Sequence, residues 1–140
     1  MATTEAIKAF LEEQRNAVIA GIRADGRPSL TPNWFLWDGE RFYVSTMRER
    51  AKYRLFRRDP RVQVLVDDST GHRYVQVDGT CDIWEDHDRG LGYFRAVREK
   101  YGREVGDDAA LKANLAAEDR VLLVITPDRP PAEWHTSGLG

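Results

Sequence analysis

The chain has 140 residues, and we treat residues 1–140 as a single domain because this length suits one hydrophobic core. Hydrophobic residues make up 41% and charged residues 31%, and without a long apolar run or an apolar leader the sequence predicts a soluble cytoplasmic protein without a membrane span. The net charge of −2 argues against a general attraction for nucleic acid or anionic membranes.

The first elements along the chain are predicted to be a helix followed by strands that tight turns connect. Ile7, Phe10 and Leu11 recur at helical spacing, and Thr4 is the predicted N-cap of this helix. Asp-Gly pairs at 25–26 and 38–39 are typical of hairpin turns. The predicted elements are a helix over 4–15 and strands over 17–24, 28–37 and 41–46.

Later elements continue the hairpin pattern and add helices. Asp59-Pro60 ends a predicted helix, and Gly79 indicates a bulge or a barrel corner in a long strand. The predicted elements are helices over 49–59, 86–103 and 107–117 and strands over 61–67, 72–85 and 119–126. About six strands joined mainly by hairpins predict a mainly β (α+β) fold, an antiparallel barrel with flanking helices.

A basic segment lies between Arg48 and Arg61. It holds seven basic and two acidic residues, a charge of +5 that leaves −7 for the remainder of the chain. It follows a strand that ends in Ser45-Thr46, where the N-terminus of the next helix offers free N–H groups to an anion. Basic residues this close together repel one another, and a bound phosphate would relieve the repulsion, so we interpret the segment as a phosphate cradle. The alternative is a solvated basic helix.

The same segment is predicted to be an amphipathic helix. Arg50, Arg54 and Arg58 are spaced four residues apart and are expected to line one helical face. The apolar contacts to the barrel are expected from Ala51, Leu55 and Phe56.

A second candidate segment is LTPNWFLW, residues 30–37. Pro32 cannot donate to a strand ladder, which indicates an edge strand, a bulge or backbone that faces a ligand. The Asn33 amide suits the edge of a heteroaromatic ring. Trp34, Phe35 and Trp37 are predicted either to wall a flat cofactor or to belong to the core and a dimer interface.

Other reactive side chains predict no catalytic group of their own. The single cysteine, Cys81, is expected to be a small buried hydrophobe, since neighbouring acids would oppose its ionisation. His72, His87 and His135 lack metal-ligand spacing, and no nucleophile elbow surrounds a serine. We therefore expect neither a metal site nor hydrolysis.

The ordered set of motifs resembles the pyridoxamine 5′-phosphate oxidase-like split barrels, in particular the branch that uses the deazaflavin F420. The similarity lies in the turn DGRP, the strand TPNWF, the strand that ends in the hydroxyl residues Ser45-Thr46, and the R-x-K pattern of Arg50 and Lys52. It continues in the helix end RRDPRV and the strand YVQVDGTCDI. It covers about residues 15–85 and 118–126. One departure is that this chain reads RLFRRDP where relatives commonly have asparagine before the leucine.

The resemblance implies a homodimer with a cofactor site at the subunit interface. By this resemblance, the isoalloxazine-type ring of the cofactor is lined by Thr31, Pro32 and Asn33. The phosphate of the cofactor is held by Ser45, Thr46, Met47, Arg48, Arg50, Ala51 and Lys52, with Arg57 nearby. Trp84 and Trp134 are expected to come from the partner subunit.

The implied activity is hydride transfer between F420H2 and an unsaturated small-molecule acceptor, without an indispensable acid–base residue. F420 is preferred to FMN because a wide basic strip suits its phosphate and oligoglutamate tail. Two alternatives stay open: an FMN enzyme of the pyridoxamine 5′-phosphate oxidase type, and a non-catalytic protein that carries F420, FMN or haem. A nucleic-acid role is disfavoured by the acidic remainder of the chain.

Overall fold

The computed structural model describes residues 2–140, which form four α-helices, one short 3₁₀ helix and eight strands. The helices are α1 (Thr4–Glu13), α2 (Ala51–Arg58), α3 (His87–Lys100) and α4 (Asp108–Ala117), and the 3₁₀ helix is Pro131–Glu133. The strands are β1 (Ala17–Ile22), β2 (Pro28–Asn33), β3 (Leu36–Trp37), β4 (Phe42–Met47), β5 (Arg61–Asp67), β6 (Tyr74–Trp84), β7 (Arg120–Pro127) and β8 (His135–Ser137). Within this range, no helix combines the length and apolarity that crossing a bilayer requires.

All strands pair antiparallel in one curled sheet, in the order β2-β1-β5-β6-β7-β4-β3, with β8 added beside β6. The predicted antiparallel architecture is confirmed. The expected count of about six strands is too low, because the stretch 28–37 is divided into β2 and β3 and the tail adds β8. Pro32 lies in β2, the strand at one end of the sheet, and is paired with Val18 of β1. Its predicted edge position is therefore confirmed.

The division between β2 and β3 has a physical cause at Phe35. Its backbone N–H donates to the hydroxyl of Tyr101 at 2.9 Å, and its carbonyl accepts from the ammonium of Lys100 at 2.9 Å. Side chains from the end of α3 therefore satisfy backbone groups that a continuous strand would pair within the sheet. This contact ties the segment after Asn33 to α3.

The sheet separates two hydrophobic clusters, because successive residues of a strand point to opposite faces. In β7, Leu123 and Ile125 belong to one cluster, which α1 and α2 cover. Leu122 and Val124 belong to the other, which α3 and α4 cover. Cys81 is buried in the first cluster as predicted, and burial raises the pKa of its thiol to about 12.

The interpretation of Gly79 as a bulge is wrong. Gly79 pairs with Val62 of β5 and with Pro127 of β7, where the β7 ladder begins, without an extra residue on either side. The alternative of a barrel corner at Gly79 stays a prediction. A Cβ at this position would lie 2.7 Å from the carbonyl oxygen of Thr126. Glycine is required there because β7 comes close to the backbone of β6.

The N-cap of α1 and the start of α2 differ from the predictions, whereas α1 begins at Thr4 as predicted. Thr3, rather than Thr4, is the N-cap of α1, and its Oγ1 accepts from the backbone N–H of Ala6 at 3.1 Å. Helix α2 begins at Ala51 because Arg50 has extended backbone angles. Leu55 and Phe56 are buried against the sheet as predicted, whereas Ala51 is exposed and contributes no core contact.

Candidate functional site

The candidate cradle consists of the end of β4, a turn and the first turn of α2. The turn is closed by the backbone N–H of Arg50, which donates to the carbonyl of Met47 at 2.9 Å. Arg50 is the N-cap of α2, yet its side chain forms no capping hydrogen bond, and the first turn contains no acidic residue. This end of the helix therefore keeps the positive potential that favours an anion.

Lys52 joins this cradle to the second candidate segment. Its ammonium Nζ donates to the hydroxyl of Thr31 at 3.2 Å. The same hydroxyl accepts from the side-chain amide of Asn33 at 3.2 Å, and that amide also donates to the carbonyl of Thr31 at 2.8 Å. Two sequence segments that were assigned separately to a ring and to a phosphate thus meet at one hydrogen-bonded contact.

Most of the basic segment carries uncompensated charge. Within residues 2–140, two of its seven cations form ion pairs, Arg48 with Glu85 and Asp119, and Arg61 with Asp59. The other five form hydrogen bonds to neutral groups or none: Arg50, Lys52, Arg54, Arg57 and Arg58. The surplus of positive charge that the sequence indicates is present on the surface of the folded chain.

Lys52 is the most constrained of these cations, because its side chain is half-buried. Burial, together with the neighbouring Arg50, lowers the pKa of Lys52 below its ordinary value. No carboxylate pairs with Lys52 in the described part of the chain to offset this cost. An anion placed beside the ammonium would stabilise its charged form.

Arg48 is held differently from its neighbours. Its guanidinium donates to Glu85 at 3.0 Å and to Asp119, and these partners raise its pKa. Asp119 has a positive φ of 53°, a conformation uncommon for a residue other than glycine, and its carbonyl accepts from the backbone N–H of Arg48 at 3.2 Å. The charge that the resemblance assigned to phosphate is therefore already balanced by two carboxylates.

Glu85 also links Arg48 to the predicted nearby residue Arg57. The hydroxyl of Tyr53 donates to Glu85 at 2.7 Å, and the guanidinium of Arg57 donates to that hydroxyl at 2.8 Å. This contact raises the pKa of Arg57. Sequence reasoning missed Glu85 and Asp119, because neither is close to the basic segment along the chain.

The predicted face of three arginines is only partly formed, because Arg50 precedes the helix. Arg54 and Arg58 instead share an open groove of about 430 Å³ with Arg23, which follows β1. Arg58 also donates to the carbonyl of Ile22 at 2.6 Å. The groove extends the basic surface of α2 beyond its first turn through Arg54 and Arg58, whereas the charge of Arg23 is balanced by Asp25 at 3.1 Å.

A larger cavity of about 540 Å³ lies between the α3–α4 hairpin and the ends of β2 and β4. Pro32, Asn33 and Ser45 line it together, so the structure unites these three predicted residues. Thr46 is buried in β4, opposite Val121, and Met47 follows opposite Arg120. Apart from these three and Trp34, the residues that line the cavity had no signal in the sequence.

The aromatic residues of the second segment divide between core and cavity. Phe35 is fully buried, and Trp37 packs on Phe42. Trp34 lines the cavity and stacks on Tyr101, with ring centroids 4.3 Å apart and planes 3° from parallel. Of the three predicted wall residues, Trp34 is therefore the one that lines this cavity.

Trp84 and Trp134 lie outside this constellation. Trp84 is buried on the face of the sheet that α3 and α4 cover, where the guanidinium of Arg89 lies 4.0 Å from its ring centroid. Trp134 is buried against Phe42, and its indole N–H donates to the carbonyl of Arg129 at 2.9 Å. A role for either in a partner's site stays a prediction. No group of acidic, histidine or cysteine side chains in residues 2–140 is arranged to hold a metal ion.

Comparison with known proteins shows similarity over the whole domain. The family described as pyridoxamine 5′-phosphate oxidase matches residues 3–130. An F420 reductase is 31% identical, with 87% of this chain and 93% of the reductase covered and a TM-score of 0.68. A conserved hypothetical protein from Mycobacterium tuberculosis is 26% identical, with 99% and 86% covered and a TM-score of 0.83.

A haem storage protein from Vibrio cholerae shares the fold alone, at 19% identity and a TM-score of 0.77, with 100% of this chain and 98% of that protein covered. These similarities agree with the curled antiparallel sheet and its flanking helices, which form a split β-barrel. The chain belongs to the pyridoxamine 5′-phosphate oxidase family.

Proposed function

We propose that this protein is a cytoplasmic F420H2-dependent oxidoreductase that acts on an unsaturated small molecule. It functions as a homodimer, with each coenzyme bound where two subunits meet. The observation that carries the proposal is the half-buried ammonium of Lys52, which lies beside Arg50 without a carboxylate partner in the described chain and donates to Thr31.

The residues present fit a phosphate-bearing coenzyme. Arg50 and Lys52 supply positive charge at the start of α2, where the backbone N–H groups lack a capping side chain. Thr31 and Asn33 supply hydrogen-bonding groups on the adjoining strand for a polar ring edge. Ser45 lies at the end of β4, within reach of Arg120 at 3.5 Å.

The extent of the basic surface favours F420 over FMN. An FMN phosphate needs one compact site, whereas the F420 tail continues past its phosphate into several carboxylates. Further along α2, Arg54 and Arg58 line a groove together with Arg23, which follows β1. Guanidinium groups bind carboxylates well, so this groove is the expected place for the tail.

When bound, the deazaflavin would supply hydride chemistry that no protein side chain provides. The protein contributes binding and orientation: Lys52 and Arg50 hold charge, and Asn33 fixes a ring edge. Asn33 is itself held by its bonds to Thr31. The cavity beside Asn33 and Ser45 offers space for an acceptor.

The F420 reductase relative, at 31% identity, supports the choice of coenzyme. The haem storage neighbour motivates the alternative of a carrier without catalysis, because the same fold serves that protein. An FMN enzyme of the pyridoxamine 5′-phosphate oxidase type is the second alternative, from the family to which the chain belongs.

Titration of the purified protein with F420 and with FMN tests the proposal. We expect micromolar or tighter binding of F420, followed by fluorescence, and FMN binding weaker by about tenfold or more, since one phosphate leaves the groove empty. Reduced F420 is then mixed with a panel of enones and quinones, and its oxidation is followed by absorbance.

The outcomes separate the three functions. F420 binding with turnover of at least one acceptor supports the proposal. Tight FMN binding without F420 binding would replace it with the FMN enzyme. Coenzyme or haem binding without turnover of any acceptor would favour a carrier. Light scattering on the same samples tests the homodimer, and a monomer at every concentration contradicts it.

A further inference from the structure

The cavity between the α3–α4 hairpin and the strand ends contains an arginine that nothing else in the site employs. Its walls include Arg98, Arg103 and Arg120, together with Glu104 and Glu118, which leaves a surplus of one positive charge. Its volume of about 540 Å³ lies within the usual range for small-molecule pockets. The cavity reaches Asn33 and Ser45, so it adjoins the proposed coenzyme site.

The three arginines differ in how their charge is balanced. Glu118 pairs with Arg120 at 2.9 Å and with Arg98 at 3.8 Å. Arg98 also donates to the side chain of Asn114 at 2.6 Å. Among the residues that the structure covers, Arg103 has no ion-pair partner, although the exposed Glu104 follows it in the chain. Arg103 is therefore the cation available to a ligand.

The backbone of Arg103 is fixed by the way α3 ends. Gly102 has a φ of 71°, its N–H donates to the carbonyl of Glu99, and the N–H of Arg103 donates to the carbonyl of Arg98, both at 3.0 Å. This pair of bonds is a Schellman motif, which the left-handed glycine permits. Arg103 is thus held at the mouth of the cavity by helix geometry.

The residue before this glycine fixes the aromatic wall. Tyr101 stacks on Trp34, and its hydroxyl donates to the carbonyl of Arg15 at 2.6 Å while accepting from the N–H of Phe35. The guanidinium carbon of Arg103 lies 5.8 Å from the centroid of Trp34. The turn that ends α3 therefore places the guanidinium of Arg103 beside the indole ring of Trp34.

We propose that this cavity binds the acceptor and that the acceptor is a planar, unsaturated carboxylic acid. Its carboxylate pairs with Arg103, and its planar body lies against Trp34. The assignment rests on the proposed function, because it takes the cavity beside Asn33 as the acceptor site. Guanidinium recognises a carboxylate through two parallel hydrogen bonds, which an uncharged isostere cannot reproduce.

Binding of 2-naphthoate and of 2-naphthamide to the coenzyme-free protein, measured by calorimetry, tests the inference. The two probes have nearly the same shape and differ in charge. We expect the wild-type protein to bind the acid at least about tenfold more tightly than the amide, as one charge-assisted contact implies. Arg103→Gln should abolish this preference while leaving affinity for the amide nearly unchanged.

Two further variants test where the acid binds. Arg27→Gln, just before β2 and thus at the end of the strand far from Asn33, is the matched control and should retain the preference. If Lys52→Met rather than Arg103→Gln removes the preference, the acid binds in the cradle and the inference is overturned. Equal binding of both probes to the wild-type protein overturns it as well. Because no coenzyme is present, these results are independent of whether F420 binds.

Discussion

Replacing Arg50 by glutamine and Lys52 by methionine together is expected to lower the affinity for F420 by about 100-fold or more. Each residue would lose a charge-assisted contact to the phosphate, which contributes roughly 1.5–3 kcal/mol, and tenfold in affinity corresponds to about 1.4 kcal/mol. The double variant should still fold, because Arg50 is exposed and Lys52 is half-buried without an ion-pair partner among the described residues. Fluorescence titration with F420 measures the change.

Arg61→Gln is the matched control for this double variant. Arg61 belongs to the same basic segment, but its charge is balanced by Asp59 at 2.8 Å and its side chain is 74% exposed. Its replacement should change F420 affinity by less than about threefold, since an exposed ion pair contributes little. Comparable losses in the control and in the double variant would mean that the segment acts through overall charge alone, contrary to the cradle.

Replacing Gly79 by alanine is expected to destabilise the protein by about 1–3 kcal/mol, the usual cost of overpacking a dense core. The added methyl group would lie 2.7 Å from the carbonyl oxygen of Thr126 and 3.2 Å from a methyl group of Ile125. Relief requires β7 to move, because the nearest atom belongs to its backbone. Urea unfolding followed by circular dichroism measures the difference.

Gly92→Ala is the control for this substitution and should have the opposite sign. Gly92 lies inside α3, is exposed, and has no atom within 4 Å of the position where a Cβ would be added. Alanine there should stabilise the protein by about 0.5–1 kcal/mol, because it restricts the unfolded chain and favours helix. Equal and small effects of both changes would show that β7 does not constrain residue 79.

Local signals in the sequence were sufficient for the order of elements. The alternation of Val62, Val64 and Val66 and the Asp-Gly turns indicate hairpins, and successive hairpins can only build an antiparallel sheet. The break after Asn33 could not be predicted, because it depends on Lys100 and Tyr101, which lie far along the chain. For the same reason the close contact at Gly79 had no signal in the sequence: its neighbour Thr126 belongs to another strand.

The candidate site shows the same division between local and distant information. Charge density alone identified the segment that contains Arg50 and Lys52, since it is a property of consecutive residues. Pairing is a property of the fold, so the neutralisation of Arg48 by Glu85 and Asp119 had no signal in the sequence. The contact of Lys52 with Thr31 likewise appears only when β2 and α2 are brought together.

The pKa of Lys52, measured by NMR of ¹³C-labelled lysine, tests the cradle most directly. The chain has four lysines, so the signals are few. Burial and Arg50 lower the pKa of Lys52 in the free protein, and an adjacent anion should raise it, so F420 affinity should fall as pH rises through the free-protein pKa. Lys100, whose pKa burial lowers to about 8, is the internal control, because it bonds to Phe35 and lies outside the cradle.

We expect saturation with F420 to raise the pKa of Lys52 and to leave that of Lys100 unchanged. A Lys52 titration curve that stays the same while F420 is demonstrably bound would contradict the assignment of its ammonium to the coenzyme.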